Sequence, residues 1–383
     1  MTDLLLHVVV LLAAALAARW LLADLRTLPR GGRHLSGSTS VSVVVPARDE
    51  EGTLPALLAS LQRLPAGVAD VVVVDDGSRD GTAGVARSAG ARVLKAPAPP
   101  PGWTGKAWAC HLGAGAGDGD LLLFLDADTV LGPSALDGLL TARERHGGLV
   151  SVQPFHTVVR PYEQLSAYFG VVSLLASHAF TRRPARRPMA FGPCLLTSRA
   201  DYQRAGGHAA VRGDILDDAA LAAAYARAGL PVWCAAGDRV VAMRSYPGGV
   251  RQLADGWTKN IASGAAATAP GPLLGVVLWL SAQHAVAVGA ALALLPVVTG
   301  HGSFPPYELA GWAVAWAGFA WQLRSILHRV GSFRWWTWLL FPLPLLAFDV
   351  LFARSAALTV VRRRVRWRGR EVDLRREAAD EAV

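Results

Sequence analysis

Three short apolar runs in the middle of this chain end in carboxylates. Val41-Ser42-Val43-Val44-Val45, closed by Pro46, leads to Arg48-Asp49-Glu50. Val71 to Val74 lead to Asp75-Asp76-Gly77-Ser78, and Leu121 to Leu125 lead to Asp126-Ala127-Asp128. Acids gathered on one edge repel one another unless a cation joins them. Asp126 and Asp128 are two residues apart, a spacing that on an extended chain sends both side chains to one side. Hard oxygen ligands of that kind suit Mg2+ or Mn2+, with water and substrate phosphates in the remaining positions. Such an ion on a diphosphate stabilises the charge that develops as phosphate leaves. Asp75-Asp76-Gly77-Ser78 reads as a turn that can hold a ribose or base edge by hydrogen bonds. No GxGxxG or Walker pattern follows these runs, which excludes the usual dinucleotide fingerprint and the P-loop.

The elements that must position these acids follow from the same residues. Continuous apolar runs of this length fit strands buried on both faces of a sheet. Helical stretches are expected between them, at Glu51–Leu64, Gly81–Ala89 and Lys106–Ala116. Alternating strands and helices make an α/β doubly wound layer fold. Such sheets bind ligands at the carboxyl ends of their strands, where the acids sit.

The ends of the chain have another character. Of 383 residues 52% are hydrophobic and 17% charged, which excludes a disordered chain and disfavours a purely soluble enzyme. Leu4 to Ala18 has no charged residue and Trp20 to Ala23 continues the run past Arg19, Pro272 to Thr299 has no Asp, Glu, Lys or Arg, and Leu309 to Leu323 is a third apolar run. These read as membrane spans. A fourth run, Trp335 to Val361, carries Asp349 and Arg354, and Pro342 and Pro344 would break it or make it re-entrant. Met1-Thr2-Asp3 lacks the positive n-region of a signal peptide, while Arg19, Arg26, Arg30 and Arg33 follow the first run. The positive-inside rule then puts the middle of the chain in the cytoplasm. The net charge of +9 is uneven: eight arginines between Arg362 and Arg376 face two acids, a local balance of +6. Beside a span, that cluster suits anionic lipid rather than nucleic acid. Three cysteines with no CxxC spacing exclude a disulfide framework and a zinc ribbon.

With these residues in view, the chain resembles family 2 glycosyltransferases of the GT-A fold. The resemblance rests on Val44-Val45-Pro46-Ala47-Arg48-Asp49-Glu50, Val74-Asp75-Asp76-Gly77-Ser78, Asp126-Ala127-Asp128 and Leu216-Asp217-Asp218 in that order. Gly102 to Cys110, Ser151 to His156, Phe191-Gly192-Pro193-Cys194, Gly206-Gly207-His208 and Gly256 to Asn260 are similar to the diaponeurosporenoate glycosyltransferases of carotenoid pathways. The implied fold is a Rossmann-like mixed sheet with N- and C-terminal transmembrane helices. The implied domains are an anchor at 1–24, a GT-A domain at 38–250, an interfacial acceptor-side segment at 251–270, a membrane domain at 271–361 and a basic tail at 362–383.

The resemblance also implies roles. Pro46, Asp49, Asp75, Asp76, Lys106 and Asp126 would hold a UDP-sugar, and Asp128 with Asp126 would hold the metal on its diphosphate. Asp218 would be the catalytic base, with Asp217 at the acidic position before it. Trp257 would match the tryptophan of a Gln-x-x-Arg-Trp element near the acceptor. The pattern departs there, because Gly256 precedes Trp257 and Gln252 stands five residues before it. Lys259 or Arg251 is then the candidate positive charge.

The implied reaction moves a hexose, with inversion, to a lipid acceptor at the cytoplasmic membrane face of a multi-pass protein. A hydroxyl acceptor needs a base, whereas a carboxylic acid is already ionised at neutral pH. The rival readings are a processive polysaccharide synthase and a non-catalytic membrane protein that keeps the fold. His208 admits a metal role beside a scaffold role, and Trp103 and Trp108 either line the sugar pocket or pack. Arg182, Arg183, Arg186 and Arg187 form a basic loop. Three lysines against 35 arginines suggest a high-GC bacterial source.

Overall fold

β-Branched and leucine-rich runs become the centre of a sheet because both of their faces are covered. In the computed structural model of the chain the described residues are 2–29, 40–64, 68–181, 188–214, 216–299, 305–358, 364–367 and 370–373. In chain order the elements begin with α1 (Thr2–Leu21), β1 (Val41–Ala47), α2 (Leu54–Gln62), β2 (Val68–Asp75), α3 (Thr82–Ser88), β3 (Arg92–Lys95), α4 (Gly105–Ala116) and β4 (Leu121–Leu125). There follow β5 (Thr129–Leu131), α5 (Ala135–His146), β6 (Leu149–Gln153), β7 (Phe155–His156), α6 (Ala167–Ser177), β8 (Cys194–Ser198), α7 (Arg199–Arg204), α8 (Asp217–Arg227), β9 (Val232–Ala236) and β10 (Val241–Met243). The last are α9 (Val250–Ala267), α10 (Pro270–Thr299), α11 (Pro306–Val330), α12 (Trp335–Leu339), α13 (Pro342–Ala357) and the short strands β11 (Arg364–Trp367) and β12 (Arg370–Asp373).

The chain divides into two compact units. The first comprises Leu25–Thr157 and Arg182–Ser245. The second comprises Met1–Asp24, Val158–Thr181 and Tyr246–Val383. The expected continuous stretch 38–250 is thus interrupted: Val158–Thr181, which holds α6, groups with the second unit. Its helix packs on α10, α11 and α13, and burial against distant helices carries no mark in local sequence.

The first unit is built on a seven-stranded sheet of order β3-β2-β1-β4-β8-β6-β9. β3, β2, β1 and β4 run parallel, while β8 runs antiparallel to both β4 and β6. The sheet is therefore mixed, as the GT-A expectation requires. Successive residues of one strand point to opposite faces. Val43, Val45, Leu123 and Leu125 enter one core cluster, and Val44, Leu122 and Phe124 enter the opposite one. Pro46 does not end β1. Its strand continues to Ala47, because pairing with β4 stops at Val44 opposite Phe124. The missing N–H of Pro46 therefore falls where that ladder has already stopped.

The second unit is mainly helical, with the β11–β12 pair near its end. In it α10 packs on α1, α6 and α11, and α13 packs on α9 and α6. Every strongly exposed large apolar side chain among the described residues belongs to this unit, from Val8 to Phe352. One stretch, Pro270–Pro296, is long and apolar enough to cross a membrane by length and composition, and Val8–Leu21 is a shorter apolar stretch. Three spans were expected, and among the described residues one helix meets that criterion. The fourth run is broken where its prolines predict, with α12 ending at Leu339 and α13 starting on Pro342. Buried polar groups pair across these helices. Tyr168 donates its hydroxyl to Gln283 Oε1 at 2.7 Å, and Trp279 donates its indole N–H to Gln322 Oε1 at 2.9 Å. The arginine loop at 182–187 and most of the basic tail lie outside the described residues, as do Arg30 and Arg33.

Candidate active site

The loops after β1 and β2 are braced by the acids that the sequence singles out. Asp49 adopts φ 53°, a left-handed conformation that Asp tolerates better than most residues. Its Oδ1 accepts from the Arg79 backbone N–H at 2.7 Å, and its own N–H donates to Ser78 Oγ at 3.0 Å. Asp75 Oδ1 accepts from the Ser78 N–H at 2.8 Å, which closes the turn. Asp76 is buried beside Arg48, whose Nη1 lies 3.5 Å from Asp76 Oδ2. One oxygen of Asp49 is thus spent on holding the two loops together and one of Asp75 on closing the second.

A second group meets in a small pocket. Pro46, Lys106, Asp126, Asp217 and Asp218 all line it, and so do Gly192 and His208. Lys106 comes from the first turn of α4, whose N-cap Thr104 accepts from the Ala107 N–H at 3.3 Å. A cation is unfavourable at a helix N-terminus, so carboxylates must compensate it. Lys106 Nζ lies 2.8 Å from Asp126 Oδ1. Burial works against its charge, but the Asp126 and Asp217 carboxylates hold its pKa well above the usual lysine range.

Asp217 and Asp218 open α8, where the helix dipole favours negative charge. Asp218 Oδ2 accepts from the Gly192 N–H and Oδ1 from the Ala219 N–H, both at 2.8 Å. Burial and the neighbouring Asp217 nevertheless raise the Asp218 pKa above its ordinary value, against the pull of Lys106 and the two N–H groups. A carboxylate of raised pKa beside a reaction site is suited to take a proton.

Asp126-Ala127-Asp128 is a turn rather than the extended segment expected. The Thr129 N–H donates to Asp126 C=O at 3.0 Å, and the Asp126 N–H donates to Pro193 C=O at 3.1 Å. Asp126 lines the pocket and Asp128 does not. Among the described residues no group of three or more His, Cys, Asp or Glu side chains could hold a metal ion. Mg2+ and Mn2+ take hard carboxylate oxygens and complete their shell from a diphosphate and water. By the resemblance Asp126 and Asp128 are the residues that would hold such an ion, and of the two Asp126 faces the pocket.

The acceptor-side candidates belong to the second unit. Trp257 is buried, stacks on Phe169 with ring centroids 4.6 Å apart, and donates its indole N–H to Ser166 Oγ at 3.0 Å. Gln252 Oε1 accepts from the Gly248 N–H at 2.7 Å. The side chain of Lys259 lies outside the described residues. A Cβ on Gly256 would meet the Tyr246 ring at 2.1 Å. An arginine there has no room, which accounts for the departure from Gln-x-x-Arg-Trp.

The family model described as Glycosyl transferase family 2 matches residues 42–199. A 4,4'-diaponeurosporenoate glycosyltransferase of Staphylococcus haemolyticus is 36% identical over 275 residues, covering 70% of this chain and 73% of the relative. One from Staphylococcus aureus is 33% identical over 346 residues, covering 88% of this chain and 89% of the relative. The chain belongs to glycosyltransferase family 2. As a glycosyltransferase it shares its fold with a mannosyltransferase from Pyrobaculum calidifontis, solved with GDP-Man and Mn2+. The TM-score is 0.51 at 19% identity, and the match covers 91% of this chain and 95% of that one.

Within this glycosyltransferase Gly192 and Cys110 are among the pocket residues not foreseen as such, and His208 was weighed only as a metal ligand or scaffold. Phe191-Gly192-Pro193-Cys194 was visible only as a matching motif, because Gly192 acts through its backbone. Ser151 Oγ accepts from the Phe191 N–H at 2.7 Å and donates to Phe191 C=O at 3.2 Å, which fixes that backbone. A Cβ on Gly192 would lie 3.0 Å from Lys106 Nζ and 3.4 Å from Asp218 Oδ2. Gly192→Ala is expected to lower kcat about tenfold, roughly 1.4 kcal/mol of barrier. Steady-state kinetics on a variant with unchanged thermal melting checks this. Trp103 and Trp108 pack on each other and on His111. Cys110 and Cys194 are buried thiols with pKa pushed up by desolvation, so neither is a nucleophile.

Proposed function

We propose that this glycosyltransferase moves a hexose, with inversion, from a UDP-sugar to a membrane lipid, a carotenoid or another lipid bearing a hydroxyl or carboxyl group. The observation that carries the reading is the convergence of Lys106, Asp126, Asp217 and Asp218 on one pocket at the carboxyl edge of β1 and β4. The acceptor oxygen attacks the anomeric carbon as the bond to the diphosphate breaks. The acceptor proton passes to Asp218 Oδ, and UDP leaves with the electron pair. Asp49 and Asp76 contact the uracil and ribose, and Lys106 lies by the nucleotide. Asp126 and Asp128 would hold a divalent ion, and when bound it would supply positive charge to the leaving diphosphate.

The relatives named for a carotenoid acid support an apolar acceptor. The exposed apolar side chains of the second unit support a place in the cytoplasmic membrane, where such an acceptor dissolves. The catalytic unit faces the cytoplasm in this reading. The absence of room for arginine at Gly256 speaks against a processive synthase.

The test is nucleotide release by detergent-solubilised protein with Mn2+ and bacterial lipid extract, with UDP-glucose run beside GDP-mannose. UDP release that depends on the lipid is expected. EDTA is expected to reduce the rate at least a hundredfold, and Mn2+ or Mg2+ to restore it. Release from GDP-mannose alone overturns the donor assignment, and EDTA-resistant turnover overturns the metal.

A further inference from the structure

We propose that His208 presents a fixed, uncharged Nε2–H donor to a hydroxyl of the transferred sugar, an inference that rests on the pocket taking a nucleotide sugar. His208 lines the pocket and is only 2% exposed. Two hydrogen bonds to one hydroxyl decide its tautomer. The His208 backbone N–H donates to the Tyr202 hydroxyl oxygen at 3.0 Å, and His208 Nδ1 lies 2.9 Å from that oxygen. Tyr202 is buried, and among the described residues Nδ1 is the acceptor within reach of its O–H. The hydroxyl therefore donates to Nδ1, and the neutral imidazole carries its proton on Nε2. Burial pushes the imidazole pKa down to about 4, so the ring stays neutral at physiological pH.

The backbone holds this arrangement in place. Gly206 and Gly207 adopt φ +79° and +53°, and a Cβ on Gly207 would meet the Tyr202 ring at 2.5 Å. The imidazole also packs edge-on against Phe124, with centroids 4.9 Å apart. Among the described residues no hydrogen bond is made by Nε2. The other polar side chains of the pocket, Lys106, Asp126, Asp217 and Asp218, are ionisable and suit the diphosphate, its metal and the acceptor proton. A neutral N–H suits a neutral oxygen, and the sugar supplies several. A metal on Nε2 would displace that proton and move the ring proton to Nδ1. The Tyr202 hydroxyl would then lose its acceptor, so the tautomer disfavours the metal role considered for His208.

The full-length protein in detergent, with Mn2+, tests the contact. His208→Phe is expected to lose about tenfold or more in kcat/KM for UDP-glucose, the effect of one removed hydrogen bond to substrate. Its Kd for UDP and its Mn2+ half-saturation should stay within about twofold of wild type. His208→Gln, which can place an amide N–H in the same space, should recover most of the loss. Unchanged kcat/KM in His208→Phe overturns the proposal. So does a fall in UDP or Mn2+ affinity that matches the fall in kcat/KM. Should His208→Phe not fold, Tyr202→Phe carries the test. It releases the tautomer and should lower kcat/KM a few-fold with UDP affinity unchanged, and no change overturns the proposal. A wild type that neither binds UDP nor turns over a nucleotide sugar instead overturns the parent reading, a result separate from these.

Discussion

Asp218→Asn lowers kcat by about 10² to 10⁴, the worth of a positioned general base, and leaves donor affinity near wild type. The expectation rests on position and on charge. Asp218 lies at the start of α8, held by the Gly192 and Ala219 N–H groups at 2.8 Å, and it lines the pocket with Lys106 and Asp126. Asparagine keeps the shape and removes the basic oxygen. The size of the loss reports on acceptor chemistry. A hydroxyl acceptor has a proton to give up, so the full loss is expected. A carboxylate acceptor is already ionised at neutral pH and needs little help from a base. A variant that keeps near-normal turnover therefore means either a carboxylate acceptor or a wrong assignment of the base, and parallel assays with hydroxyl- and carboxyl-terminated lipids separate the two.

The pH profile carries the same information with a definite sign. The base works only when ionised. Its folded pKa is raised above the ordinary 3.8 by burial and Asp217, so the acid limb of kcat against pH should lie above the ordinary carboxylate range. The ionised form also costs the fold stability as pH rises from the unfolded pKa through the folded one, since the native state binds the proton more tightly.

Lys106→Met is the second large effect. Its removal leaves Asp126 and Asp217 without their cation in the same pocket. Breaking a fully buried pair costs about 3–5 kcal/mol. Lys106 and Asp126 side chains are 25% and 28% exposed, so solvent screening brings the expected loss to about 2 kcal/mol. A fall in thermal midpoint of several degrees checks it. Because Lys106 lowers the Asp218 pKa, the variant should also move the acid limb of the rate profile to higher pH. Arginine is not a conservative replacement, since its planar fork differs in shape from the compact ammonium that meets Asp126. A Lys106→Met enzyme with wild-type melting and an unmoved acid limb would show that the pair is peripheral.

Much of the sheet was legible because its signals are local. Leu121–Leu125 is the same strand in sequence and structure, and α4 starts one residue before the expected Lys106. Burial on both faces writes itself as an unbroken apolar run, and acids after such a run mark a ligand edge. The same logic explains the limits. β1 runs through Pro46 because of where its neighbour stops pairing, which is a property of β4 and not of Pro46. Val158–Thr181 joins the helical unit through contacts with residues more than a hundred positions away, such as Tyr168 with Gln283.

The chemistry divides in the same way. Residue type and order alone determined that Asp49, Asp75, Asp76, Asp126 and Asp128 follow strands and that the ends of the chain are apolar, while Asp218 stood out only through the resemblance. Tertiary structure decided which of them meet. It put Lys106 against Asp126, set the Gly192 backbone on Asp218, spent one oxygen of Asp49 and one of Asp75 on loop bracing, and gave His208 its tautomer through Tyr202. A backbone N–H and a shared hydroxyl leave no signature in residue type. Only the folded chain brings the donor and the acceptor to the same place.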